Sequence, residues 1–298
     1  MGKDFFVFFD EELATLVRVK SASTVRNYHT ALNALARYLQ QRSLLLSDIS
    51  RQLMQDFEQW LRRRGLCRNT TSAYMRSLQS LFNRAVDAGL TPERNPFRRV
   101  FTGNERTEKR TLSKGEVSRL LSIHVPTHNQ RLHLYADVLR FSFALCGMPF
   151  VDVAHLRWRQ IKGNMLYYHR RKTGERVSVR LESQALAILQ QYKSVSASAD
   201  DYVFPILRHG CSYAAALSRY NRALSRLAGM AGVKHLLTSY VVRHSWASLS
   251  NQVHTPPSVI SKGLGHTNIR TTATYMASLS SDALHHYNRR LLNDVFRC

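Results

Sequence analysis

The chain is 298 residues long, 44% hydrophobic, and carries 43 Lys+Arg against 20 Asp+Glu for a formal net charge of +23. A chain of this size buries a core without help from disulfides or metal, and so large a cationic surplus predicts a polyanionic partner, since each cation set against a phosphate releases a condensed counterion. Its four scattered cysteines form no C-x-x-C pair, no run of apolar residues is long enough to span a membrane, and MGKDFFVFFDEEL lacks a signal-peptide pattern, which excludes a zinc ribbon and a disulfide framework and predicts a cytoplasmic protein.

The charge is spread along the chain. Residues 1–106 hold 17 basic and 10 acidic side chains and the remainder 26 and 10. Both halves are cationic, which suits a protein that surrounds a duplex better than one touching it at one edge.

From Ser23 the sequence reads as helices. Val25, Tyr28, Leu32, Leu35 and Leu39 recur at helical steps behind a Ser23 or Thr24 cap. Ile49, Leu53, Phe57, Trp60 and Leu61 repeat the scheme and stop at Gly65; Tyr74, Leu78, Leu81, Phe82 and Val86 follow and stop at Gly89. This predicts a helical unit with Arg62, Arg63, Arg64, Arg68, Arg76 and Arg84 on its exposed faces. The polar stretch TGNERTEKR, 102–110, reads as a linker between domains at 1–101 and 111–298.

The second domain opens with a capping-box spacing, Ser113 and Glu116. Helices are expected around Leu132–Cys146 and Val151–Trp158. Leu166 and Tyr168, then Val177, Val179 and Leu181, alternate as two strands hinged at Thr173-Gly174. Helices fill most of the rest. The last, 281–298, places Leu284, Tyr287, Leu291, Leu292 and Val295 on one face. The fold class is therefore mainly α with a small β-sheet.

Chemistry concentrates toward the C-terminus. Lys172 lies in the hairpin, SYVVRHSWASLS embeds Arg243-His244 in an apolar run, and GLGHTNIRTTATY brings His266 and Tyr275. Arg, Lys, His and Tyr together suit phosphodiester chemistry without a metal or other cofactor. A tyrosine hydroxyl can attack phosphorus and hold it covalently. Arginine forks match the non-bridging oxygens and their growing charge, and a lysine can protonate the leaving oxygen. The adjacent His285-His286 do not make a metal site, because neighbours on a helix point different ways.

The order Lys172, Arg243-His244, Leu264-Gly265-His266 and Tyr275 resembles the tyrosine recombinases of the phage integrase superfamily, and the helical unit ahead of it resembles their SAM-like core-binding domain. The resemblance implies a mixed α+β catalytic domain in which Tyr275 is the nucleophile of a 3′-phosphotyrosyl link. It further implies that Arg243 clamps the scissile phosphate, His266 donates to that phosphate or orients the nucleophile, and Lys172 is the general acid. Double-stranded DNA is the implied partner, gripped in C-shaped clamps by four protomers in a synaptic tetramer, with host DNA-bending proteins as accessories. The tail helix either docks on a neighbouring subunit or packs on its own core.

The family's first box reads roughly G-x-R-x-x-E; here Gly147 is followed by Pro149 in the arginine's place and Asp152 in the acid's. Tyr240 stands where the second box usually has histidine. GMPFVDVAHL and TSYVVRHSWAS resemble the Bacteroides mobile-element and DNA-invertase branch, where this first arginine is commonly absent. The short front end, Met1 to Lys20, points to an invertase or simple recombinase over a large integrase with arm sites. Type IB topoisomerase chemistry, or a catalytically impaired DNA-binding regulator, are the alternatives.

Residues two apart share a face of a strand, so Arg170 is expected beside Lys172 as the replacement cation, with Arg157 and Arg140 as rivals. Tyr240 is expected to donate a neutral hydrogen bond. Asp152 orients an arginine or His244, or is a plain helix-surface acid. Arg68, Asn69, Arg76, Arg219 and Arg222 are the candidates to face DNA.

Overall fold

The first element is one that the sequence pattern does not announce. α1 (Phe5–Val19) begins in the run FFVFF, whose apolar side chains crowd almost every direction and so show no helical period. Phe5, Phe6, Phe8 and Phe9 are all buried. Asp4 starts the helix: one carboxylate oxygen accepts from the N–H groups of Phe6 (2.8 Å) and Val7 (3.0 Å). The other accepts from the Ser43 hydroxyl (2.8 Å) and the Leu44 N–H (2.7 Å). Burial pushes this carboxyl up, but the Val7, Leu44 and Phe6 N–H groups and Ser43 together outweigh it and hold Asp4 below the usual carboxylate range.

The computed structural model describes residues 2–105, 110–126, 128–194, 198–207, 210–234 and 236–265. The chain divides into two units, Met1–Thr107 and Glu108–Cys298. In the first, α2 (Ala22–Leu39), α3 (Arg51–Arg63) and α4 (Arg68–Asp87) join α1 around Leu32, Leu35, Phe57, Leu78, Leu81 and Phe82. The cap of α2 is Ser21, not Ser23 or Thr24, because the helix starts ahead of its apolar stripe; the Ser21 hydroxyl accepts from the Thr24 N–H. Arg84, expected on an exposed face, is half-buried and ion-paired with Glu12 on α1. The segment after the helices is bonded to α4: Ser72 donates to the Gly103 carbonyl (2.5 Å), and the Asn69 amide both donates to and accepts from the Glu105 backbone (2.9 and 2.7 Å).

The second unit contains α5 (Lys114–Leu121), α6 (Gln130–Ala144), α7 (Phe150–Ala154), β1 (Ile161–Lys162), β2 (Met165–His169), β3 (Arg176–Arg180), α8 (Ser183–Tyr192), α9 (Tyr213–Met230), α10 (Ser239–Gln252) and α11 (Pro257–Leu264). The expected capping box closes α5: Ser113 N–H donates to the Glu116 carboxylate (2.8 Å) and the Ser113 hydroxyl accepts from the Glu116 N–H. α7 ends well short of Trp158. The N–H groups of Trp158 and Arg159 donate instead to the carbonyls of Asp201 and Ala199, so the helix cannot continue through them. The sheet is antiparallel in the order β1-β2-β3, with Leu166 opposite Val179 and Tyr168 opposite Val177. Leu166, Tyr168 and Val177 face the core, while Val179 is half-buried.

α6 runs through the centre of this unit, with α8, α9 and α10 against it. Phe141 meets Phe204 edge-on at 5.1 Å, and Phe150 stacks on Tyr220 at 4.3 Å. Burial of such rings supplies about 2–3 kcal/mol each, the bulk of what orders the helices. Among the described residues, no helix is long and apolar enough to cross a membrane.

Candidate active site

Four chain segments converge at the C-terminal end of α6. α10 is held at its start by Thr238, whose hydroxyl accepts from the Val241 N–H, and by the Asn221 side chain, which accepts from the Ser239 N–H (3.1 Å). Ser245 sits at the packed face of α10, accepting from the Leu112 N–H (2.8 Å) and donating to the Val241 carbonyl (2.9 Å). The helix is thereby fixed in rotation. Arg243, His244 and Ser245 are all buried on it.

The Arg243 guanidinium donates to the Gly147 carbonyl at 2.9 Å and to the Leu264 carbonyl at 2.5 Å. Gly147 follows α6 with φ of +65°, and a Cβ there would stand 3.0 Å from the Arg243 Cα. Only glycine allows the turn to approach α10 so closely. Arg170 reaches the same place from the end of β2. It is 7% exposed, and its guanidinium donates to the same Leu264 carbonyl. Two guanidinium groups therefore converge on one oxygen. Gly265 admits Arg170 from the other side, since a Cβ at that position would lie 3.0 Å from the Arg170 Cγ.

Asp152 holds one of these cations, Arg170. Its carboxylate lies 2.8 Å from the Arg170 Nε as an ion pair and accepts from the Arg171 N–H at 3.0 Å. Pro149 opens α7 and its carbonyl accepts from the Asp152 N–H, which carries the acid into the interior. Burial pushes the Asp152 carboxyl up, while the Arg171 N–H, Arg170 and Arg243 pull it back without cancelling the rise. Tyr168 lies in the same field: burial and then Asp152 raise its hydroxyl, against the pull of Arg170 and Arg243. Burial likewise raises the Cys146 thiol, against Arg243.

Rigid, buried cationic donors sharing one small acceptor site are suited to an oxyanion, because their cost of orientation is met in folding and not at the moment of reaction.

The phage integrase family profile matches residues 110–281, and the phage integrase SAM-like domain profile matches residues 4–102. The chain belongs to the phage integrase family. A tyrosine recombinase of Pseudothermotoga lettingae is 25% identical over 284 residues, covering 92% of this chain and 94% of the relative. The fold is similar to that of the Tn1549 transposon integrase in complex with circular intermediate DNA (TM-score 0.71, 15% identity, 97% of this chain and 100% of that one). It is also similar to a lambda integrase dimer bound to a COC′ core site (TM-score 0.69, 16% identity, 92% and 95%).

Within this integrase-family unit the expected strand pairing of Arg170 with Lys172 does not hold. The chain turns at Arg170, whose carbonyl accepts from the N–H groups of Thr173 and Gly174, so alternation stops there. Arg170 extends the buried face of Leu166 and Tyr168, whereas Lys172 is exposed in the turn. The rival arginines are engaged elsewhere. Arg140 donates to the carbonyls of Leu121 (2.8 Å) and Ile123 (2.5 Å) and pairs with Asp137. Arg157 lies over the Tyr202 ring and donates to the Asp200 carbonyl.

Tyr240 is half-exposed, with its ring edge-on to His244 at 3.9 Å between centroids. His266, Tyr275 and the tail helix at 281–298 lie outside the described residues. Among the DNA-facing candidates, Arg76 and Arg222 are exposed, while Arg219 is half-buried and touches the Cys211 sulfur. Arg68 lies over the Phe101 ring at 4.1 Å and pairs with Glu105, and Asn69 clasps Glu105, so both serve their own unit. Sequence reasoning missed the Gly147 and Leu264 carbonyls. The glycines at 147 and 265 were the available signal, because each marks a close backbone approach.

Proposed function

We propose that this chain is a site-specific DNA recombinase of integrase or invertase type, from the Bacteroides mobile-element branch, that cuts and rejoins duplex DNA through a 3′-phosphotyrosyl intermediate. The observation that carries this reading is the pair of buried guanidinium groups, Arg243 and Arg170, aimed at one oxygen. Arg170 then supplies the charge that Pro149 lacks, with Asp152 keeping its fork in place.

The Tyr275 hydroxyl releases its proton to solvent as its oxygen attacks the scissile phosphorus and the bond to the 5′ oxygen breaks. Lys172 gives that oxygen its proton, and the two arginines take up the charge on the non-bridging oxygens. His266 and His244 assist at the phosphate and Tyr240 donates a neutral hydrogen bond. The reverse attack by a 5′ hydroxyl of the partner strand reseals the DNA. The ester bond is conserved in the tyrosyl link, so the exchange needs no nucleotide energy source. Four protomers pair two sites, and host DNA-bending proteins assist where the sites require curvature.

The test is a nicked suicide duplex from which the cleaved fragment diffuses away. A covalent protein–DNA band that is lost in Tyr275→Phe supports the reading. Duplex binding without any such band would support the second reading, a DNA-binding regulator, which the proline at 149 favours. Supercoil relaxation by a monomer that never pairs sites would point to topoisomerase IB chemistry.

A further inference from the structure

One polar group beside the Arg170–Arg243 pair serves no purpose in the fold. Tyr168 lies two residues before Arg170 on β2 and is 5% exposed. The pairing of β2 with β3 continues through Arg170, whose N–H donates to the Glu175 carbonyl at 2.8 Å. Tyr168 and Arg170 therefore face the same side of the strand, about 7 Å apart along it. Tyr168 stands directly opposite Val177. The end of α11 covers this patch: a Cβ on Gly265 would lie 2.8 Å from the Val177 Cγ2 and 3.0 Å from the Arg170 Cγ. Charged and titratable groups act on the Tyr168 hydroxyl from four segments, Asp152 on α7, Arg170 on β2, Arg243 on α10 and Cys146 after α6. Asp152 spends its carboxylate on Arg170 and the Arg171 N–H, and among the described residues the Tyr168 hydroxyl makes no hydrogen bond. A hydroxyl more than nine-tenths buried and left unpaired costs stability, and an arriving oxyanion removes that cost.

We propose that the Tyr168 hydroxyl is a third donor to the phosphate held by Arg170 and Arg243, giving a neutral hydrogen bond to one non-bridging oxygen. This role rests on the recombinase reading above. The ring is fixed by its packing, so the donor is oriented in folding, as the two forks are. Tyr240, by contrast, is half-exposed and has no such packing around its hydroxyl. Burial, and then the Asp152 carboxylate, outweigh Arg170, Arg243 and the rest of the field and push the Tyr168 hydroxyl well above the usual tyrosine range. It therefore keeps its proton, and with it the ability to donate, at neutral and mildly alkaline pH. A neutral donor beside two cations also adds a contact without adding to their repulsion.

The experiment uses the full chain and Tyr168→Phe, which keeps the ring and removes only the hydroxyl. Both are given nicked suicide duplexes in which neither, one or the other non-bridging oxygen of the scissile phosphate is replaced by a methyl group. On the all-oxygen duplex, Tyr168→Phe is expected to slow single-turnover formation of the covalent band about 10- to 100-fold, the range for a hydrogen bond to a charged group. On the methyl isomer that lacks the oxygen contacted by Tyr168, variant and wild type should react alike, because the interaction is already gone. On the other isomer the gap should persist. The variant should melt at or above the wild-type temperature, since the lost hydroxyl had no partner in the fold. A variant as fast as wild type on the all-oxygen duplex, or equally slowed on every duplex, overturns the role of Tyr168 and leaves the recombinase reading standing. So does a variant that melts several degrees below wild type, which would give the hydroxyl a partner within the chain. A wild type that binds duplex and forms no covalent band removes the recombinase reading, and the role of Tyr168 with it.

Discussion

Gly147→Ala isolates the packing that aims Arg243. The new methyl group would meet the Arg243 Cα at 3.0 Å and its carbonyl oxygen at 3.3 Å, both backbone atoms of a buried helix that cannot swing aside. The left-handed backbone at φ +65° adds a penalty that any non-glycine bears, about 1 kcal/mol. Overpacking against fixed atoms adds about 2 kcal/mol more. Gly163→Ala is the control. Its φ is +58° and nothing lies within 4 Å of the added carbon, so it carries the backbone penalty alone. At about 3 °C per kcal/mol for a unit of this size, the control should melt about 3 °C below wild type and Gly147→Ala about 9 °C below. Displacing Arg243 by a fraction of an ångström or more should also slow single-turnover cleavage by up to a hundredfold. The two variants melting within about 2 °C of each other and cleaving alike would refute the account of Gly147.

Three further outcomes are expected. Arg170→Ala should reduce single-turnover cleavage by about 10²- to 10³-fold, the usual loss for one charged donor, while Arg140→Ala and Arg157→Ala at equal folded fraction should not; a fully active Arg170→Ala would remove it from the clamp. Lys172→Ala should lose cleavage of ordinary DNA yet recover on a substrate with sulfur replacing the bridging 5′ oxygen, because a thiolate, with a conjugate acid near pKa ~8.5, leaves unprotonated; no recovery would exclude Lys172 as the acid. Asp4→Ala should cost about 2 kcal/mol at pH 7, read from urea unfolding of the first unit. Because the Asp4 carboxyl is held down in the fold, its contribution is present above the unfolded value near ~3.9 and is lost as pH falls through the folded value. The gap between wild type and variant should therefore close in acid, and a constant gap would contradict the assigned hydrogen bonds.

What the sequence made legible were elements whose chemistry is local. The Ser113–Glu116 box spans four residues and forms as expected, and the alternation of Leu166, Tyr168 and Val177 sets the buried face of the hairpin. α1 was illegible because five consecutive apolar residues carry no period, and the Asp4 carboxylate that caps it is itself held by Ser43 and Leu44, far along the chain. Arg84 looked solvent-exposed because its partner Glu12 is 72 residues away. The motif residues Lys172 and Arg243 could be named from spacing, but the acceptors that orient Arg243 are main-chain carbonyls of Gly147 and Leu264, which leave no side-chain trace. Lys172 was placed beside Arg170 because a pattern of two was continued one step past the point where the chain turns.

The Leu264 carbonyl has a consequence for how the cationic pair waits for its anion. A neutral oxygen already in the grip of both forks keeps them from collapsing onto other acceptors or drifting apart under mutual repulsion, so the resting state resembles a vice closed on a spacer. On the recombinase proposal, an incoming phosphate must displace that spacer, and its full negative charge is the stronger partner for two guanidinium groups. Because the spacer is the last residue of α11, evicting it loads the end of that helix and the left-handed Gly265 that closes it.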